Sequence, residues 1–190
     1  MLEHIKSKAL NDDVPIMSEE TLDVIAQLIQ DNHISKILEF GTATGYSSLS
    51  LANRCTWVSI DTLEKDENRY QIALHNKQLV NDQQVTMICA DAKTWPIDHF
   101  YDLVIIDAAK AQNQFLFERV LPFVKPRGYV VVDNMSFHGH VATIPQGKNK
   151  RNLRQMVTKI VQFLNFVEEQ PYLESKLLEV GDGLLIIKRK

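Results

Sequence analysis

Two apolar runs, YDLVIID at 101–107 and GYVVVDN at 128–134, constrain this chain more than any other feature. Both are dense in branched residues and neither alternates with polar positions, as a strand wetted on one face would. Such runs fit central strands of a parallel sheet, covered by helices on both sides. The apolar stretch of each closes on an aspartate, Asp107 and Asp133, so two strands bring carboxylates to their ends.

The remaining pattern alternates helix and strand. Ser18 is placed to cap a helix over EETLDVIAQLIQDN, where Leu22, Ile25, Ala26 and Ile29 recur at helical spacing and Glu19 and Glu20 occupy the acidic first turn. KILEF (36–40) reads as a short buried strand and YSSLSLANR as the start of a helix. CTWVSIDTLE contains a strand ending near Glu64, DENRYQIALHNKQLV a helix, and VTMICAD a third strand. An amphipathic helix is expected from about Asn149 to Glu169, with Leu153, Met156, Val157, Ile160, Leu164 and Val167 inward. SKLLEV and LLIIKRK flank GDG, the chemistry of a tight hairpin turn. The order predicts one α/β domain over 1–190, a Rossmann-like doubly wound sheet that is mostly parallel and closes with an antiparallel hairpin. Such sheets bind ligands in the crevice beyond the carboxyl ends of their strands.

Composition bounds the function. With 190 residues and 45% apolar content the chain supports one well-buried core. It has no run of about 18 apolar residues and its N-terminus has no apolar signal core, so a cytoplasmic protein without a membrane partner is expected. Cys55 and Cys89 lack metal-ligand spacing and read as reduced, packed residues rather than zinc ligands. A net charge of -3 argues against indiscriminate nucleic-acid binding, yet no acidic residue falls between Asn134 and Val167, where Lys148, Lys150, Arg151, Arg154 and Lys159 lie.

The segment EFGTATGYSSL (39–49) follows the first strand. Gly41 and Gly45 let the backbone turn sharply and approach a ligand, with the free N–H groups of the next helix pointing into the site. The dinucleotide fingerprint would require glycines at 41, 43 and 46, where the chain has Ala43 and Tyr46, and a P-loop would require a Gly-Lys-Ser/Thr ending. Alone, the turn is better explained by a tight strand-to-helix connection that holds no ligand. Glu64 at the end of the second strand can accept from both ribose hydroxyls, and Asp91 after the third can accept from an adenine amino group. Glu39, Gly41, Gly45, Glu64 and Asp91 thus follow the order of three strands, as a nucleoside laid across their ends requires. The carboxylate beneath the turn suits a ligand with a cationic end, which favours S-adenosylmethionine. At the ends of the other two strands, Asp107, Asp133 and Asn134 offer hard oxygen donors that suit Mg2+ or Mn2+; each aspartate could equally cap a helix or turn.

VPIM, EFGTATGYSSL, DENRY, IDAAKAQ, VVVDN and VGDGLLIIKR resemble, in matching order over nearly the whole chain, the cation-dependent O-methyltransferases related to catechol O-methyltransferase. Within that family the sequence is most similar to bacterial tRNA 5-hydroxyuridine methyltransferases. The resemblance implies that the turn from Gly41 through Thr42, Gly45 and Tyr46 to Ser47 contacts the methionine part of the cofactor. It further implies that Glu64 contacts the ribose and Asp91 with Ala92 the adenine, and that Asp107 serves cofactor and metal together. Asp61 is a rival for the ribose role, but would lie mid-strand. The implied metal ligands are Asp107, Asp133 and Asn134, and the implied catalytic base is Lys110. In the reaction so implied, Lys110 removes the proton of a hydroxyl acidified by the cation, and the oxyanion attacks the sulfonium methyl in line.

Two substrate classes present the required pair of adjacent oxygens: catechol-like phenols, and 5-hydroxyuridine with its C5 hydroxyl beside the C4 carbonyl. The basic residues Lys148, Lys150, Arg151 and Arg154, before and within the first turns of a helix, oppose its macrodipole unless phosphates meet them, which favours tRNA. Relatives carry an additional N-terminal helix ahead of VPIM that helps cover the substrate and build a dimer; this chain starts just upstream of VPIM, so a homodimer is admitted but not required. His138 and His140 read as surface residues.

Overall fold

The structure, a computed structural model, describes residues 1–108, 110–136 and 151–190. Among the described residues, seven strands form one sheet in the order β3-β2-β1-β4-β5-β7-β6. These are β1 (Lys36–Phe40), β2 (Ser59–Glu64), β3 (Val85–Cys89), β4 (Tyr101–Ile106), β5 (Val124–Val132), β6 (Leu173–Leu178) and β7 (Leu184–Arg189). The first five are parallel; β7 runs antiparallel to β5 and β6 to β7. The central strands β1 and β4 are buried along nearly their whole length, as strands covered by helices on both faces must be, and β1 takes Glu39 inside with its apolar residues.

Helices cover both faces. On one, α1 (Leu2–Asn11), α2 (Glu19–Asp31), α3 (Tyr46–Arg54) and α4 (Glu67–Val80) enclose a core including Leu22, Ile25, Ile37, Leu49 and Ile105. On the other, α5 (Asn113–Val120) and α6 (Arg151–Glu168) enclose Phe40, Val104, Phe117, Val130 and Phe163. Phe117 and Phe163 meet edge to face with centroids 5.6 Å apart, joining α5 to α6. Ser18 Oγ accepts from Thr21 N–H at 3.2 Å and Asp66 from Arg69 N–H at 3.0 Å, so both caps needed by α2 and α4 are in place.

The structure departs from sequence expectation in several elements. Residues 2–11, unassigned by pattern, form α1, because Ile5 and Ala9 recur four apart on a face that buries against the core. The helix over NQFLFERV was also unassigned, although Asn113, Leu116, Phe117 and Val120 bury one face of it. β5 starts at Val124, four residues before the Gly128 that opens the apolar run: the strand passes through Lys125, Pro126 and Arg127 with a register shift and Arg127 in a left-handed conformation. In α6, Phe163 joins the buried face, while Leu153, Met156 and Leu164 are only half-buried. Cys89 is not packed as expected. It is exposed at the end of edge strand β3, where Sγ donates to Glu67 Oε2 at 2.9 Å, whereas Cys55 is buried. Among the described residues, no helix is long and apolar enough to cross a membrane.

Candidate active site

The carboxyl ends of β1, β2, β4 and β5 meet through backbone bonds that continue past the strands. Asp107 N–H donates to Phe40 C=O at 2.9 Å, Asp133 N–H to Ile106 C=O at 3.2 Å, and the N–H groups of Gly41 and Thr42 to Leu63 C=O at 3.0 and 3.1 Å. The proposed cofactor turn and the proposed metal ligands therefore sit on one continuous edge. Gly41 (φ +108°) is required by this closeness: a Cβ there would overlap the Asp107 carbonyl oxygen and lie 2.8 Å from its carbon. Gly41 thus seats the turn against β4 as well as exposing backbone to a ligand.

Beneath the turn, Glu39 is fully buried. Ser47 Oγ donates to its Oε1 and Thr62 Oγ1 to its Oε2, both at 2.5 Å. Thr42 Oγ1 lies 2.6 Å from Thr62 Oγ1 and, with that proton committed to Glu39, is its donor. Burial pushes the Glu39 carboxyl up, and the Ser47 and Thr62 hydroxyls oppose the shift. Glu39 is therefore a support that orients Ser47 and Thr42. Thr62, which sequence reasoning passed over, is directly opposite it in the β1–β2 register. Its signal was a hydroxyl two residues before Glu64, hence on the same sheet face. Thr44 Oγ1, buried in the same turn, has no partner among the described residues, a polar atom that a ligand or ordered water would satisfy.

Glu64 ends β2 with both oxygens aimed at backbone: Oε2 accepts from Ala43 N–H and Oε1 from Asp66 N–H, each at 2.9 Å. Carboxylate oxygens have two acceptor sites apiece, so each can also receive a hydroxyl proton. Asp61, three residues earlier, faces the opposite side of the sheet, accepting from Tyr101 Oη at 3.0 Å and pairing with Lys36 at 3.1 Å. Asp91 follows β3, with Oδ1 accepting from Lys93 N–H at 2.9 Å, and Ala92 packs beside it against the second core.

Tyr46 opens α3 immediately after Gly45, and its hydroxyl donates to Glu19 at the start of α2. Glu19 also pairs with Lys6 of α1 at 3.0 Å and with Arg54 at the other end of α3. The Tyr46 hydroxyl, then Lys6, hold the Glu19 carboxyl at about 2, against the cost of burial. Burial and Glu19 push the Tyr46 phenol up, so it stays a donor. This junction was invisible in sequence, since its members come from three separate helices.

Asn134 brings the metal candidates together: Nδ2 lies 3.2 Å from Asp107 Oδ1 and 3.4 Å from Asp133 Oδ2. Its backbone is left-handed (φ +63°), an uncommon state for a non-glycine residue that a functional site can sustain. Two carboxylates and an amide fit a hard divalent cation, toward which the amide would turn its oxygen. Among the described residues, no cluster of three or more His, Cys, Asp or Glu side chains competes with this set. Lys110 begins a turn of 3-10 helix, Lys110–Gln112, just beyond Asp107. The side chain of Lys110, and Lys148, Lys150, His138 and His140 altogether, lie outside the described residues.

Beside that turn is a cleft of about 650 Å³ between Ala111 and α6, lined on the α6 side by Arg151, Arg154, Gln155, Lys159 and Gln162. A family profile described as O-methyltransferase matches residues 1–190. The chain belongs to the O-methyltransferase family. A caffeoyl-CoA O-methyltransferase from Populus kitakamiensis is 26% identical over 187 residues, covering 93% of this chain and 77% of the poplar protein. A Staphylococcus aureus crystal structure, assigned provisionally as a caffeoyl-CoA O-methyltransferase, superposes on 100% of this O-methyltransferase and 92% of its own chain with a TM-score of 0.92 and 36% identity. The Bacillus cereus O-methyltransferase solved with S-adenosylhomocysteine shares the fold at 24% identity and a TM-score of 0.81, covering 100% of this chain and 90% of its own.

Proposed function

We propose that this O-methyltransferase is divalent-metal-dependent and methylates 5-hydroxyuridine in tRNA to 5-methoxyuridine, with S-adenosylmethionine as methyl donor. The observation that carries the substrate reading is the basic cleft. Arg151, Arg154 and Lys159 line it beside the 3-10 turn that carries Lys110, and no acidic residue occurs between Asn134 and Val167. Phosphates beside the acceptor base would be met by these cations.

In this reading the turn from Gly41 through Thr42, Gly45 and Tyr46 to Ser47 receives the methionine part of the donor, held in shape by Glu39 and Thr62. Glu64 accepts from the ribose hydroxyls, and Asp91 with Ala92 borders the adenine. Asp107, Asp133 and Asn134 would hold Mg2+ or Mn2+, which when bound supplies Lewis acidity to the acceptor hydroxyl. Lys110 takes the hydroxyl proton, and the shared strand edge aligns the acceptor oxygen with the donor methyl.

A second reading, a small phenol as acceptor, is favoured by the names of the poplar and staphylococcal relatives. Coenzyme A esters also carry phosphates, so cation mutants and salt dependence do not separate the two. Mass spectrometry of tRNA nucleosides does. Cells lacking the protein should lose 5-methoxyuridine and accumulate 5-hydroxyuridine; an unchanged nucleoside profile selects the phenol.

A further inference from the structure

The hairpin turn Gly181–Asp182–Gly183 lies at the same end of the sheet as the site, because β7 runs antiparallel beside β5 and Val132 pairs with Leu185. Its backbone grips the chain that leaves the metal candidates. Gly183 C=O accepts from Met135 N–H at 2.8 Å, and Asp182 C=O accepts from Ser136 N–H at 2.7 Å. Asn134 immediately precedes this pair and is itself held in the left-handed region. Met135 is fully buried, its sulfur receiving the Asn113 amide at 3.6 Å, so the segment is anchored on both sides.

The two glycines of the turn have different neighbours. A Cβ on Gly183 (φ +87°) would overlap Ser136 Oγ and lie 2.5 Å from the Ser136 backbone nitrogen and 2.9 Å from its Cβ. The hydroxyl could rotate away, but the nitrogen moves only with the chain that follows Asn134. A Cβ on Gly181 (φ +55°) would instead overlap Thr21 Oγ1 and lie 3.0 Å from Ser18 Oγ, both side-chain atoms at the start of α2.

We infer that the Gly181–Gly183 turn is a positioning element for the metal site: the carbonyls of Asp182 and Gly183 fix Met135 and Ser136, and thereby the left-handed Asn134 and its neighbour Asp133. Gly183 is the residue whose lack of a side chain permits this approach. Gly181 serves only the contact with α2. The inference rests on the metal reading proposed above, and it assigns Gly183 no contact with substrate, donor or metal.

The test compares Gly183→Ala with Gly181→Ala, both positive-φ glycines of one turn where alanine is strained alike, in three measurements: Mn2+ affinity by electron paramagnetic resonance with S-adenosylhomocysteine present, S-adenosylhomocysteine affinity by calorimetry, and thermal midpoint. Gly183→Ala should weaken Mn2+ about 10- to 100-fold, the range seen when groups supporting metal ligands are altered. Its S-adenosylhomocysteine affinity should stay within about threefold. Gly181→Ala should lower the thermal midpoint while leaving both affinities within the same threefold margin. Unchanged Mn2+ binding in Gly183→Ala, or parallel losses of both affinities in both variants, overturns the inference. A wild-type protein that binds no Mn2+ instead defeats the metal reading itself. Should Gly183→Ala fail to fold, amide exchange on the unaltered protein decides. By linkage, Mn2+ must slow exchange at the Gly183 amide, which donates to Val180 C=O at 2.9 Å, and no change there refutes the coupling.

Discussion

Replacing Thr62 by valine probes the support beneath the cofactor turn without changing side-chain volume. The hydroxyl donates to the buried Glu39 carboxyl at 2.5 Å and accepts from Thr42 at 2.6 Å. Leaving a buried carboxyl oxygen without its donor costs about 1.5–3 kcal/mol, because its desolvation is no longer compensated. The stranded Thr42 hydroxyl, 2% exposed, adds about 1 kcal/mol or more. The sum is about 2.5–4 kcal/mol. For a chain of this length each kcal/mol moves the melting temperature by about 2–4 °C, so a fall of about 5–16 °C is expected. Thr62→Ser keeps the hydroxyl and loses one methyl, about 1 kcal/mol, and should fall by about 2–4 °C. Differential scanning calorimetry gives both shifts. Titration with S-adenosylhomocysteine should show weaker binding for the valine variant than for the serine variant, because Thr42 and Ser47 belong to the proposed binding turn. A valine variant melting within about 2 °C of wild type, or a serine variant less stable than the valine one, would refute the chain of donors.

Glu19 gives a pH dependence of known sign. Its carboxyl is held at about 2, below its ordinary 4.5, so its contribution is present above about 4.5 and is lost as pH falls toward 2; urea unfolding should show this slope in wild type and a flatter one in Glu19→Gln. Glu39 has the opposite sign: burial raises its carboxyl, so stability is lost as pH rises through the folded value, and Glu39→Gln should remove that loss above pH 4.5 in the same titration. Lys110→Met should lower the single-turnover methyl-transfer rate about 10²- to 10⁴-fold, with partial recovery when the acceptor is already ionised; an equal loss at high pH would make the lysine a positioning group. Arg151→Glu with Arg154→Glu should raise KM for tRNA and reduce the salt dependence of tRNA binding, read by filter binding across ionic strength, without changing S-adenosylhomocysteine affinity.

Local pattern carried much of this protein. β1 spans the KILEF run, α3 the YSSLSLANR run, and Asp66 and Ser18 cap where their residue types and offsets required. These features depend on neighbours within a few positions, which a sequence displays directly. α1 and α5 escaped because each is short and offers only two or four buried positions. The first residues of β5 escaped because Lys125, Pro126 and Arg127 interrupt its apolar run, and only pairing with β4 joins Val124 to the strand.

Sequence by itself determined the alternation of strands and helices, and with it the delivery of Glu39, Glu64, Asp91, Asp107, Asp133 and Asn134 to strand ends. That follows because strand direction and the crossovers of a parallel sheet put every such end on one edge. Tertiary structure alone decided what those groups touch. It gave Glu39 to Ser47 and Thr62 rather than to the crevice, turned Asp61 toward Tyr101 and Lys36, and joined Tyr46 to Glu19 across 27 residues. It also closed the GDG turn on Met135 and Ser136, some 46 to 48 positions away in sequence. Each of these pairings is selected by sheet register and helix packing summed over the whole core, and no local run of residues encodes that sum.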